Sequence, residues 1–164
     1  MRKQKGFSLI ELLIVVAIIL IIAAIAIPNL LRSRIAANEA SAVGSLRTIN
    51  TAEVTYASAY PSSGFASSLY ALGGTGTSAS ATNALLLDNV LGCSTANSSG
   101  SSCNKSGYSF TLTGSGTAPV PFYYTSAAPR SVNQSGVRYF YSDASGVIHF
   151  NLSAAAGSAD SAIQ

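Results

Sequence analysis

The chain has 164 residues, 48% of them hydrophobic and only 9% charged, against a charged share of about 25% in ordinary soluble domains. That is too little charge for a typical water-exposed enzyme surface, and the length admits one domain, or a small domain with an extension, but no multidomain machine. The formal net charge is +3, yet Arg2, Lys3 and Lys5 account for three of the nine basic residues, and the remainder of the chain is formally neutral.

Residues 1–6 are a short basic segment, and residues 7–31 are a nearly unbroken apolar run whose only charge is Glu11. As a helix the run would be about 36 Å long, enough to cross a hydrocarbon core of about 30 Å. The flanking charges place the N-terminus in the cytoplasm and the C-terminal part on the exported side. A secretory signal peptide is the rival reading, because Ala24-Ile25-Ala26 imitates a cleavage site. Against it stand an apolar run longer than the usual 7–15 residues and a carboxylate near its start.

An uncompensated charge inside a membrane costs about 2.5–3.5 kcal/mol on insertion scales, so Glu11 calls for a partner. A cut between Gly6 and Phe7 would supply one, since the new α-amine of Phe7 would lie four residues away, and a neighbouring copy's amine could lie as close. A glutamate that stays hydrated or protonated at the interface is the plainer alternative.

The string KGFSLIELLIVVAIILIIAAIAIPNLL resembles the N-terminus of type IV pilins and the related type II secretion pseudopilins. The resemblance implies a prepilin peptidase that cuts after Gly6, N-methylation of Phe7, pairing of Glu11 with the N-terminal amine of an adjacent subunit, and a helix kink at Pro28. Leu20 is a departure, because many family members have a helix-loosening glycine there.

Residues 32–60 form the second half of the same helix and are amphipathic: Leu31, Ile35, Ala42, Leu46, Ile49 and Tyr56 fall on one stripe less than about 90° wide. Arg32, Arg34, Glu39, Arg47 and Glu53 are expected mostly off that stripe, as solvated charges. Tyr60-Pro61 ends the helix. Residues 61–107 read as a Gly/Ser-rich connector that contains a disulfide loop and one short apolar element over 84–91. In residues 108–153 four short aromatic and β-branched segments, at 108–114, 120–126, 137–142 and 147–151, predict an antiparallel sheet. The last pair makes a hairpin over Asp143-Ala-Ser-Gly146. Residues 154–164 are a tail that frays or lies on the surface. The expected class is thus α+β, a long N-terminal helix packed on a sheet of about four strands.

Cys93 and Cys103 are the only cysteines, and in an exported domain they predict a disulfide; their spacing fits no zinc pattern. No metal or other cofactor is implied. His149 is the only histidine, and neither a nucleophile elbow nor a phosphate loop is present, so no catalytic residue is assigned. Tyr123, Tyr124, Tyr139, Phe140 and Tyr141 are read as core and sheet-face packing. Lys105, Arg130 and Arg138 are too few for a nucleic-acid track. The expected function is a non-enzymatic structural subunit of a type IV pilus, polymerised into a helical homo-oligomer. Its other partners would be the prepilin peptidase, an assembly platform and, as precursor, the bacterial inner membrane, with the mature chain in a cell-surface fibre or a periplasmic pseudopilus. A pseudopilin or minor pilin is one alternative, and a soluble secreted binding protein with a cleaved signal peptide another.

Overall fold

The computed structural model describes residues 7–93 and 102–163. Two units make up the chain, Met1–Arg34 and Ile35–Gln164, and helix α1 (Leu9–Ala59) contributes to both. Within the first unit the helix is apolar on all sides, and its large side chains from Leu9 to Leu30 are exposed. Within the second, one stripe is buried: Ala42, Leu46, Ile49, Ala52 and Tyr56. Leu46 and Ile49 have no exposed surface at all, whereas Leu31, at the start of the predicted stripe, is 41% exposed.

A connection over residues 60–68, with one turn after Tyr60, leads from the helix to α2 (Leu69–Leu72), which is capped by the Ser68 side chain accepting from the Ala71 N–H. The apolar element predicted over 84–91 does not form a helix. It is laid against α2 by backbone bonds, Ala84 N–H to Ala71 C=O and Leu86 N–H to Leu72 C=O, and it buries Ala84, Leu87 and Leu91. Gly73 and Gly92 meet backbone to backbone, an approach that any Cβ would block. The connector is therefore part of the core layer of the second unit.

Among the described residues the sheet has six strands, not about four: β1 (Cys103–Lys105), β2 (Tyr108–Ser115), β3 (Phe122–Pro129), β4 (Tyr139–Asp143), β5 (Ile148–Asn151) and β6 (Ser161–Ala162). They form an antiparallel meander in sequence order. The four predicted strands correspond to β2 to β5. The two extra strands are short, polar edge strands, held by backbone pairing with no apolar alternation to announce them. Strand β1 turns into β2 through Ser106 and Gly107, both with positive φ (48° and 76°), the geometry of a tight hairpin turn. Strand β6 belongs to the tail, which lies on the surface but is paired rather than frayed: the Ile163 N–H bonds to Ile148 C=O at 2.8 Å, and His149 Nδ1–H donates to Asp160 C=O at 2.7 Å.

The inner face of the sheet presents Tyr108, Phe110 and Leu112 from β2, Tyr123 and Ala127 from β3, Phe140 from β4 and Ile148 from β5, all buried in one cluster with the helix stripe. Cys93 and Cys103 are joined in a disulfide with their Cα atoms 5.3 Å apart, which ties the end of the connector to β1. Both residues are buried.

Candidate functional site

The first unit offers its apolar surface as the candidate site. α1 contains the one helix segment among the described residues that is long and apolar enough to cross a membrane. Leu, Ile and Val on every side leave no polar stripe, so an isolated copy in water would expose a continuous apolar cylinder. Such a surface requires either lipid or other copies of itself.

The helix begins with a local arrangement that the sequence reading overlooked. Ser8 precedes the first helical residue, and the Ser8 N–H donates to Glu11 Oε2 at 2.9 Å, while Ser8 C=O accepts from the Leu12 N–H. Ser8-Leu9-Ile10-Glu11 is thus half of a capping box, the Ser-x-x-Glu pattern in which the third helical residue reaches back to the cap. The pattern was legible as letters. Glu11 also sits in the first turn, where a carboxylate complements the partial positive charge of the helix N-terminus. Its side chain is therefore held toward the chain start, on the side where Phe7 lies, 74% exposed. Gly6 falls outside the described residues. Pro28 lies inside α1, which continues through it; lacking an N–H, it leaves the carbonyl of Ala24 without its usual helical donor.

Two more carboxylates on α1 depart from expectation. Glu39 and Glu53 are not solvated charges: they are 6% and 0% exposed. Counted at about 100° per residue from Leu31, Glu53 lies near 40° and Glu39 near 80°, on or at the edge of the apolar stripe. That arithmetic was the available signal. Glu39 joins the helix to the approach to β4. Its Oε1 accepts from the N–H groups of Val137 and Arg138, at 2.9 and 3.2 Å, and its Oε2 pairs with Arg138 Nε at 2.8 Å. Burial alone would push the Glu39 carboxyl up, but these donors outweigh it and hold it below the usual range. Glu53 accepts one bond, from the Ala66 N–H at 2.8 Å, while its Oε1 is buried without a partner. Desolvation pushes its carboxyl up to about 7, the Ala66 bond opposing.

Farther along, Asn38 donates to Ser135 C=O, and Asn50 bridges Ser142 Oγ and the Tyr123 hydroxyl. From residue 39 to residue 50 the helix rises about 16 Å. Its partners, Arg138 just before β4 and Ser142 within it, are about 13 Å apart along the chain. The helix thus meets β4 and the residues just before it at successive points, Glu39 at Val137 and Arg138 and Asn50 at Ser142.

Residues 1–27 match the family described as the prokaryotic N-terminal methylation motif. Over 39 residues the chain is 67% identical to the type IV wide pilus major component PilA4 of Thermus thermophilus, a match that covers 24% of this chain and 30% of that one. Over 54 residues it is 45% identical to the type IV major pilin protein PilA of Myxococcus xanthus, covering 33% and 24%. The matched segments span less than a third of either relative's length, and no solved structure matches significantly.

Proposed function

Carrying an N-terminus of the type IV pilin superfamily, the chain is, we propose, a structural subunit of a type IV pilus. The observation that supports this most is the conjunction, on the N-terminal half of α1, of an apolar surface exposed on all sides and a single carboxylate, Glu11, at its start. In this reading the precursor waits in the inner membrane with its basic leader in the cytoplasm. A prepilin peptidase removes residues 1–6, leaving Phe7 as the methylated first residue. An assembly platform then moves the apolar half-helix from lipid into a bundle of identical half-helices. Apolar surface stays buried throughout, so the transfer needs little net hydrophobic free energy. Pro28 supplies a point of local weakness at which the helix adapts to its neighbours.

Glu11 sets the register. In the single chain it caps its own helix through the Ser8 N–H. In the bundle the amine of a neighbouring copy's Phe7 competes for the same carboxylate, and only the axial offset that brings the two together avoids an unpaired buried charge. The role is structural, and no catalytic step is assigned.

The reading is tested by the intact mass of the protein sheared from its host's surface. The expected chain begins at Phe7, carries one added methyl group and has its two cysteines oxidised. A chain beginning after Ala26 would refute the fibre. Phe7-started chains that stay in the membrane fraction and never appear in sheared material would point to a pseudopilin. Glu11→Ala is expected to reduce sheared fibre to a small fraction of the normal yield while leader cleavage proceeds, since cleavage acts before register matters. Normal fibre yield from that variant would remove Glu11 from the mechanism.

A further inference from the structure

The face of the sheet turned away from α1 carries a hollow of about 480 Å³ that the assembly helix does not explain. It lies at the end of the sheet where β2 finishes and β3 begins, and its walls include Phe122, Tyr124, Tyr141, Asp143 and Ser145. Phe122 is 66% exposed and Tyr124 42%, an unusual display for large rings on a folded domain. Tyr124 and Tyr141 stand nearly parallel, 6.2 Å apart with an interplanar angle of 18°. Asp143 reaches the rim from the end of β4, opposite Tyr124, and its Oδ1 accepts from the N–H of Ser145 in the turn that follows. Hydrogen bonds from the Ser145 hydroxyl and N–H hold this carboxyl below the usual range, so it is ionised at neutral pH. Among the described residues it has no ion-pair partner.

A carboxylate beside parallel tyrosine rings is chemistry suited to a planar organic cation, which stacks on the rings while its N–H groups meet the carboxylate. The chain contains such a cation at the opposite end of the same sheet. Arg130 follows the last residue of β3 and is exposed, its backbone N–H bonded to Gly107 C=O. Its neighbours there are already engaged, Arg138 with Glu39 and Lys105 with Asp88. Arg130 has no ion-pair partner among the described residues. Along β3 the two features are separated by about 23 Å, so no single copy can join them. A head-to-tail fibre sets one surface of a copy against a different surface of the next.

We propose that the hollow lined by Phe122, Tyr124, Tyr141 and Asp143 receives Arg130 of a second copy of this chain, forming a contact between second units that adds to the one made by the helices. The inference rests on the fibre reading above. Arginine suits the role better than lysine, because its guanidinium can lie flat on the rings and still present two donors to one carboxylate.

The test uses the full chain in its host. Fibres built from the double variant Asp143→Cys, Arg130→Cys are expected to give a covalent ladder with a short bismaleimide, and either single variant only monomers. The linker spans the reach of the arginine–carboxylate pair that the two thiols replace, whereas a direct disulfide needs Cβ atoms within about 4.5 Å. In a parallel series, Asp143→Arg and Arg130→Asp are each expected to lower sheared fibre about tenfold, since each sets like charges together. The exchanged pair is expected to recover most of the yield, and Arg47→Glu, on the exposed flank of α1, to leave it unchanged. Urea midpoints equal to that of the native chain would show that the single variants fold. No ladder, or an exchanged pair as poor as its parents, would overturn the contact while leaving the fibre intact. If the native chain itself forms no fibre, the failure lies with the functional reading instead.

Discussion

Replacing Glu53 with glutamine is expected to stabilise the protein by about 3 kcal/mol at pH 8 and to change little at pH 4, the difference following from a carboxyl raised from 4.5 to about 7. Glu53 is fully buried with a single donor and no cation beside it. The phenols that face it, Tyr56 and Tyr123, are themselves pushed up, Tyr123 to about 12, so they stay protonated and neutral and offer no compensating charge. The folded chain therefore holds a proton on Glu53 more tightly than the unfolded chain does. Its contribution is fully present below pH 4.5, declines as the pH rises, and is lost once the pH has passed about 7. Glutamine mimics the protonated form and removes the dependence. Urea unfolding of the full chain in detergent micelles at pH 4, 6 and 8, followed by tyrosine near-ultraviolet dichroism, reads the effect directly. Parallel stability profiles for the two proteins would show that water or a cation reaches Glu53 in solution. At more acidic pH the sign reverses for Glu39, Asp88 and Asp143, all held below their usual range: their stabilising share is present above the unfolded values and lost as the pH falls through the folded ones.

Glu39→Ala should cost about 2–4 kcal/mol, and Arg138→Met distinctly less, near 1 kcal/mol. The asymmetry follows from what each substitution leaves behind. Removing Glu39 takes the acceptor from two backbone N–H groups and a guanidinium at once. Removing the guanidinium leaves Glu39 with both backbone donors, and Met still covers the rings of Phe140 and Phe150 over which Arg138 lies. The Arg138 side chain is 37% exposed, which keeps the ion-pair part of the effect small. Equal losses from the two substitutions would mean that the salt bridge, not the backbone bonding, holds β4 to the helix. The same urea measurement at pH 7 separates these outcomes.

The parts of the fold that were legible in the sequence are those that a repeating pattern encodes. The apolar run over 7–31 needs no tertiary context, because its length alone sets what it can span. The stripe of Ala42, Leu46, Ile49 and Tyr56 appears at helical spacing and is buried where expected. Strands β2 to β5 alternate or carry aromatic and β-branched residues, and they form. Strands β1 and β6 do neither. They exist because a neighbouring strand already offers unpaired backbone groups, information located in the partner and absent from the segment itself. The element over 84–91 is a similar case: its leucines are core residues, but their backbone bonds go to α2.

For the candidate site the division falls along the same line. The sequence by itself determined that the chain has a basic N-terminal segment, an apolar helix with Glu11 at its start, and two cysteines close enough in sequence to pair, because charge, hydropathy and counting are properties of residues in order. Only the tertiary structure decided that Glu39 and Glu53 are buried against donors from other segments, and that Asp143 and Arg130 stand at opposite ends of one sheet. A charge takes its free energy from its surroundings, and for these residues the surroundings come from segments distant in sequence, Ala66 for Glu53 and Val137 with Arg138 for Glu39, that meet them only when the chain folds.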